Sequence, residues 1–247
     1  NNVSVEKLDV EFSLGDLMRG EWRANELTLN GLVLELGLDE HGRMRWTSLP
    51  QSGGGFNLGA LTVDRFNVTG AMSLSDAASK TSLRLDNIVF TGEVRALAGA
   101  MRGEGALSVS GTRYPFRLAA GRTSDGSGHR LRINLDPAAR PLGADLDGIV
   151  HLDEARPRFD GALTVFRPAP AKGAVANLAD SPWRVAGKLK ADPSVATFEQ
   201  VEAVFGSDDT GLKFVGVGDA RFGAAARLRA DLSARQLDVD RFLAQGA

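Results

Sequence analysis

A run of alternating leucines constrains the fold of this chain more than any other feature. Leucine occupies every second position from Leu32 to Leu38, and in an extended strand every second side chain lies on the same face. A polar turn follows at 39–42, after which Met44 and Trp46 resume the alternation. The pattern predicts two antiparallel strands that share one apolar face.

The same period of two extends through most of the chain. Val3 to Phe12 alternates, SLGDLM from Ser13 to Met18 predicts one short helix, and Glu21 to Asn30 predicts another strand. Apolar pairs two residues apart then recur as far as Ala234. We therefore expect about fourteen to sixteen short antiparallel strands. The predicted fold is mainly β, a curled, groove-like sheet with one or two short helices.

Stretches rich in Gly, Pro and Ser divide the chain into three blocks. The blocks are an N-terminal strand–helix–strand block at 1–49, a middle β block at 56–121 and a C-terminal β block at 129–247. Loops are predicted at 50–56 and 167–181, and a second short helix at Val239 to Ala244. Because the strand pattern is alike in all blocks, we expect one continuous elongated domain. Since the sequence starts at Asn, we expect it to be a segment of a longer chain.

Charge and composition argue against several classes of function. The 247 residues are 43% hydrophobic and 24% charged, as in an ordinary folded protein. The net charge of −2 offers no basic excess to neutralise a phosphate backbone, so nucleic acid is not expected as a partner. The sequence has no cysteine, which rules out thiol catalysis, Cys-ligated metals and disulfides.

No arrangement of catalytic or metal-binding residues emerges from the sequence. The three histidines, His41, His129 and His151, have no second ligand at metal-binding spacing. The acidic pairs Asp145/Asp147 and Asp238/Asp240 lack the loop that binds calcium. We predict no catalytic residue, no metal and no cofactor, and hence a protein that is not an enzyme.

Two interpretations of the one-sided strands are open. In the first, the sheet curls around its apolar face and leaves a hydrophobic groove able to hold lipid acyl chains. The candidate groove-lining residues are Leu34, Leu36, Leu83, Leu85, Leu107, Val109, Ile133, Leu163 and Val165. In the second, two sheets pack their apolar faces together as a structural or carbohydrate-binding β-sandwich without a groove. An aromatic content of 6% argues against sugar-stacking platforms.

Three segments of the chain contain groups of residues that match one known family in order. The first has Ser13, Leu14, Leu17 and Gly20, then His41, Gly42, Arg45, Trp46 and Leu49. The second has Leu97, Gly103, Gly105, Tyr114 to Phe116 and Gly121, and the third has Trp183, Gly187, Leu237, Asp238, Asp240 and Leu243. These segments resemble the AsmA-like family of bacterial envelope proteins, of the repeating β-groove class related to AsmA and TamB. His41 and Arg45 stand where the family's "DG..NW..L" turn has Asp and Asn.

The resemblance implies a function and a location. AsmA-like proteins are anchored in the inner membrane of Gram-negative bacteria, extend into the periplasm, and are linked to phospholipid transport and outer-membrane homeostasis. The resemblance therefore implies a periplasmic segment that holds or conducts phospholipid acyl chains, with a membrane helix upstream of Asn1. No run of about 20 apolar residues, the length of a membrane-spanning helix, lies in the sequence itself. Neither the lipid, nor the direction of transport, nor any protein partner is indicated.

Overall fold

Strands make up nearly all of the regular structure. A computed structural model of the chain describes residues 2–21, 23–44, 62–95, 99–137, 141–153, 156–169, 181–206, 211–222 and 226–236. The strands are β1 (Asn2–Ser4), β2 (Lys7–Phe12), β3 (Arg23–Leu38), β4 (Thr62–Asp76), β5 (Thr81–Arg95), β6 (Ala100–Val109), β7 (Thr112–Arg122), β8 (His129–Leu135), β9 (Gly143–Asp153), β10 (Arg156–Arg167), β11 (Trp183–Ala191), β12 (Val195–Phe205), β13 (Leu212–Arg221) and β14 (Arg227–Gln236). Within these ranges one helix, α1 (Leu14–Met18), follows β2.

The 14 described strands belong to one open sheet. From β3 onward their order in space follows their order in the chain, and each is antiparallel to the next except for β3 and β4. β1 and β2 lie one after the other along the same edge of β3. Because sequence neighbours pair, most connections need only short turns. The predicted mainly β, groove-like sheet is confirmed.

The pairing of β3 with β4 differs from the predicted hairpin. Met44 makes one antiparallel bridge with Leu38, as the alternation predicts. β4, however, lies parallel to β3. A parallel partner requires the chain to return to the end of the sheet where β3 began, and the connection from 39 to 61 is long enough for that return. Trp46, in the second half of the predicted hairpin, lies outside the described residues.

Some predicted strand boundaries change in the structure. The two strands expected on either side of Gly31 form the single strand β3, because glycine adopts the positive φ of 65° found there. The strand expected from Val3 to Phe12 is divided into β1 and β2. Local alternation therefore identifies most of the described strand residues, but it does not place every break.

The first predicted helix is present, and the second lies outside the described residues. Ser13 is the N-cap of α1, and its hydroxyl accepts a hydrogen bond from the Asp16 N–H at 3.4 Å. The predicted helix at 239–244 and the loop at 50–56 are not among the described residues. Of the loop predicted at 167–181, Arg167 ends β10 and residues 170–180 are not described.

Glycines inside the strands let the sheet bend around its apolar side. A Cβ added at Gly70 would meet the backbone carbonyl of Leu32, and one added at Gly105 would meet that of Val89. The same conflict with a neighbouring backbone recurs at Gly92, Gly103, Gly148, Gly161 and Gly216. All of these glycines lie on the side of the alternating apolar residues. That side is therefore the inside of the curl, where adjacent strands approach too closely for a side chain.

Bulges and tight turns increase the twist of the strands. β5 bulges around Asn87, with φ 50°, and β12 bulges around Gln200, with φ 54°. Ser110 and Gly111, both with positive φ, form the tight turn between β6 and β7. Because a bulge sharpens the local right-handed twist, these sites help the sheet to coil rather than remain flat.

Two buried clusters of the described residues lie inside the curl, in the first half of the sheet. Their buried residues are Ala24, Leu27, Val63, Val94, Val68, Phe90 and Phe116. The rings of Phe90 and Phe116 stack with centroids 6.0 Å apart, and Phe66 meets Phe90 edge-on at 6.3 Å. Gly105 is paired with both Phe90 and Phe116. Because it has no side chain, the rings of β5 and β7 meet across β6.

Substituting Gly105 tests this account of the curl. We expect Gly105→Ala to destabilise the protein by about 1–3 kcal/mol, since the new methyl group would displace the Val89 carbonyl and separate the stacked rings. Gly121→Ala is the matched control, because a Cβ there would lie at an ordinary 3.5 Å from the Ala100 Cα. Chemical denaturation measures both variants. Equal effects would contradict the close approach at Gly105.

Candidate functional site

The pairing register assigns each strand residue to one of two faces. Residues directly opposite each other on adjacent strands point to the same side. The apolar face is the side of Leu29, Val68 and Phe90, together with the residues that continue their pairings across the sheet. The polar face is the opposite side, which includes Glu26 and Arg65. Most charged residues of the described strands lie on the polar face, and a few valines lie there as well.

An unbroken row of apolar residues and glycine crosses the apolar face. It runs through Leu29, Val68, Phe90, Gly105, Phe116, Leu135, Ala144, Val165, Val185, Ala203, Phe214 and Ala234. At about 4.8 Å per strand, this row is on the order of 50 Å long. A neighbouring row passes through Leu118, Ile133, Leu146 and Leu163. The apolar face is therefore a continuous strip rather than a set of separate patches.

The predicted groove-lining residues all lie on the apolar face, in three groups. Leu34, Leu36, Leu83 and Leu85 lie together, joined through β4. Leu107 and Val109 occupy the end of β6 next to its turn. Ile133 and Leu163 share a row, and Val165 lies in the row that contains Phe90. The structure therefore places them along one surface, not around one pocket.

Much of the apolar face remains in contact with solvent. Of the predicted lining residues, Leu83 is 47% exposed and the others are half-buried. Phe205, in the second half of the sheet, is 45% exposed. No second sheet covers this face within the described ranges. The face is thus packed in places and open in others.

Sequence reasoning overlooked the aromatic residues that cover strand glycines. A Cβ at Gly103 or at Gly148 would lie 2.6 Å from the ring Cζ of Phe90 or Phe159, respectively. Each of these glycines is paired with the glycine two residues after the ring, Gly92 in one case and Gly161 in the other. The available signal was the spacing Phe-x-Gly, which occurs at 90–92, 159–161 and 214–216. Because side chains alternate along a strand, the Phe and the Gly of each such segment both lie on the apolar face, where the ring covers the exposed backbone.

The polar face bears cross-strand ion pairs. Lys190 Nζ lies 3.0 Å from Glu199 Oε1, and Arg117 Nη2 lies 2.8 Å from Asp136 Oδ1. Arg132 and Arg130 both donate to Asp147, and the hydrogen bond from Arg132 is the main reason that the pKa of Asp147 lies below its ordinary value. Exposed pairs of this kind each contribute little to stability, but they keep this face hydrated.

The curl brings turns that are distant in sequence around a cavity of about 410 Å³. Its walls include His41 from the turn after β3, Asp76 from the end of β4, Arg156 from the start of β10 and Ser194 from the turn between β11 and β12. A Cβ at Gly42 would lie 2.8 Å from the Cβ of Pro193. The N-terminal strands therefore reach the C-terminal block at this point.

The turn that makes this contact has a defined local geometry. The Asp39 carboxylate accepts hydrogen bonds from the backbone N–H groups of His41 and Arg43, both at 2.9 Å. Gly42 is buried and has φ 71°, a conformation that L-residues rarely adopt. Gly42 belongs to the motif that resembles the family turn, and the structure shows why a glycine suits the position.

The titratable residues of the described ranges form no group that could hold a metal ion. His151 Nδ1 lies 2.9 Å from the Ser127 carbonyl oxygen. Asp145 accepts a hydrogen bond from the Asn134 amide, while Asp238 and Asp240 lie outside the described residues. No group of three or more His, Cys, Asp or Glu side chains converges in this part of the chain. The absence of metal and catalytic sites remains a prediction.

Comparisons with known proteins leave the resemblance untested. No protein-family model, curated protein or solved structure matches the chain. None of the described helices has the length and apolarity needed to cross a membrane. The apolar face and the motifs in the sequence are therefore the features that point to a function.

The contact between the N-terminal turn and Pro193 is open to a direct test. We expect both Gly42→Ala and Gly111→Ala to cost about 1–2 kcal/mol, because both glycines have positive φ. Gly42→Ala should cost about a further 1 kcal/mol or more, since only there would the methyl group meet another part of the fold. Equal losses of unfolding free energy would show that the turn does not contact Pro193.

Stability should depend on Asp147 in a pH-dependent way. Because the folded-state pKa lies below the ordinary value of 3.8, the stabilisation is fully present above about pH 5 and is lost as the pH falls through the folded pKa. The difference in unfolding free energy between the wild type and Asp147→Asn should therefore shrink steadily below pH 4. Urea denaturation between pH 2.5 and 7 measures it, and a constant difference would contradict the ion-paired state.

Proposed function

We propose that this chain is a non-enzymatic segment that holds or conducts the acyl chains of phospholipids along its apolar face. One observation supports this most directly: a continuous apolar strip crosses the described sheet from β3 to β14 while Leu29, Leu135, Val165 and Val185 within it are only half-buried. In a protein interior these residues would be buried by a second layer. An open apolar surface of this length is suited to an extended apolar ligand.

Acyl chains are the ligand class that fits this surface best. Each methylene group removed from water contributes about 0.8 kcal/mol, so covering even part of a chain provides several kcal/mol. The row from Leu29 to Ala234 on the apolar face has no side-chain hydrogen-bond donors, which suits a ligand that needs none. A row on the order of 50 Å long exceeds the length of one acyl chain, and this favours lateral movement or several bound chains.

The cellular setting is proposed from the sequence motifs. The resemblance to AsmA-like proteins favours a periplasmic segment of an inner-membrane-anchored protein that transfers phospholipid toward the outer membrane and contributes to outer-membrane assembly and homeostasis. No metal, cofactor or nucleic acid enters this proposal.

The alternative was a structural or carbohydrate-binding β-sandwich. The described strands form one sheet instead of two stacked sheets, which favours the groove.

Charged substitutions on the two faces of one strand test the proposal. Leu83 and Val89 both lie on β5 with exposures of 47% and 44%, but Leu83 is on the apolar face and Val89 is on the polar face. We expect Leu83→Asp and Leu85→Asp to lose co-purified phospholipid, measured by mass spectrometry of an organic extract. Val89→Asp should keep it. Melting temperatures should change little for Leu83→Asp and Val89→Asp, because both sites are already hydrated.

A charged substitution at a buried position shows the effect of a charge inside the packed core. Val63 is 1% exposed, so Val63→Asp places an unpaired charge in the core and should cost several kcal/mol. Collapse of Leu83→Asp to the same degree as Val63→Asp would indicate a fully packed sheet and count against a groove. Wild-type protein that binds no phospholipid, even after incubation with vesicles, would count against the proposed function itself.

A further inference from the structure

A pocket on the polar face has the construction of an anion site. A cavity of about 600 Å³ opens there across β5 to β8. Its lining includes five arginines, Arg95, Arg102, Arg122, Arg130 and Arg132, although the whole chain has a net charge of −2. We propose that this cavity binds a phosphate group, either of a lipid headgroup or of a soluble phosphate. The inference concerns the face opposite the apolar strip and does not rest on the proposed function.

The first row across the cavity shows how the arginines are arranged. Following the pairings from β5 to β9, it reads Glu93, Arg102, Ala119, Arg132 and Asp147. The two carboxylates stand at the outer ends and the two guanidinium groups stand inside them, on either side of Ala119. Two strand spacings, about 10 Å, separate the backbones of Arg102 and Arg132. Each side chain is bonded to the carboxylate on its outer side, and a phosphate above Ala119 would lie within reach of both.

The adjacent row repeats the arrangement nearer the ends of the strands. Arg95 on β5 and Arg130 on β8 flank Ala100 and Gly121, and a Cβ at Gly121 would lie 3.5 Å from the Ala100 Cα. Small residues therefore form the floor of the cavity in both rows, with arginines on both sides. A larger side chain at any of these floor positions would occupy the space between the guanidinium groups.

The acidic residues orient the arginines without neutralising all of them. Glu93 accepts from Arg102 and lies 4.0 Å from Arg95, while Asp147 accepts from Arg132 and from Arg130, the latter at 3.2 Å. Two carboxylates thus serve four of the five guanidinium groups, which leaves a positive excess around the gap. The Asp125 carboxylate, in the loop after β7, accepts hydrogen bonds from Thr123 and Ser127 of its own loop, and these bonds lower its pKa to about 2.

Guanidinium groups match the geometry of phosphate oxygens. Each offers several N–H donors in one plane and binds phosphate through two parallel hydrogen bonds. Because these arginine side chains are exposed, binding should weaken with salt, as expected for partly screened charges. The five arginines come from four different strands, so only the folded sheet assembles the site.

Two variants test the site by different routes. Arg95→Gln with Arg130→Gln removes two charges while leaving Arg102 on Glu93 and Arg132 on Asp147. Ala119→Leu keeps every charge and fills the gap. The control is Arg113→Gln with Lys188→Gln, which removes the same charge from the polar face outside the cavity. Thermal melting of each variant verifies that it is folded.

Isothermal titration calorimetry at fixed ionic strength measures binding to the whole chain. The probes are inorganic phosphate and the water-soluble lipid dihexanoyl phosphatidic acid. We expect wild type to bind at least one probe, and both cavity variants to weaken that binding about tenfold or more, as for the loss of charge-assisted hydrogen bonds. The control should stay within about twofold of wild type, since it leaves the cavity intact.

The outcomes separate a built site from general charge attraction. Tighter binding of phosphatidic acid identifies a lipid headgroup as the ligand, and equal binding of both probes identifies the phosphate group alone. The inference is overturned if wild type binds neither probe, if Ala119→Leu binds as well as wild type, or if the control weakens binding as much as the cavity variants do. Phospholipid on the apolar face is measured separately by extraction, so failure here leaves the proposed function untouched.

Discussion

Everything else in this structure depends on one constraint: a single sheet has one apolar face and, among the described residues, no second layer to cover it. Apolar side chains gain free energy only when they leave water, so the face must bury itself by curling. The glycines at 92, 103 and 105 allow this, because adjacent strands approach too closely there for any side chain. The stacking of Phe90 on Phe116 across Gly105 is the most direct result.

A core made in this way is necessarily incomplete. Val63 is almost fully buried, whereas Leu83, on a paired strand and on the same face, remains exposed. Strands bind chiefly to their neighbours, as in repeat proteins, so stability accumulates from local interfaces and does not require every apolar residue to be enclosed. The protein therefore keeps an apolar surface open to solvent without losing its fold, which is the property that the proposed lipid-binding role requires.

The curl also decides which distant residues meet. It carries the turn at Gly42 to Pro193, and so joins the first long strand to the C-terminal part of the sheet. On the outer side it aligns Arg102 and Arg132 on either side of Ala119. Neither arrangement involves sequence neighbours. The two faces thus have separate chemistry, one suited to apolar chains and the other to anions, on opposite sides of the same strands.

The sequence by itself determined most of the strand residues and, within each uninterrupted run, which side chains share a face, because a period of two is a local property of an extended chain. It placed Leu34, Leu107 and Leu163 on one face and located the short helix that follows Phe12 without knowledge of any partner. Only the tertiary structure decided that β4 lies parallel to β3 and that Gly42 touches Pro193. Those features depend on the return path of the chain and on the curvature summed over many strands, and no local pattern encodes either of them.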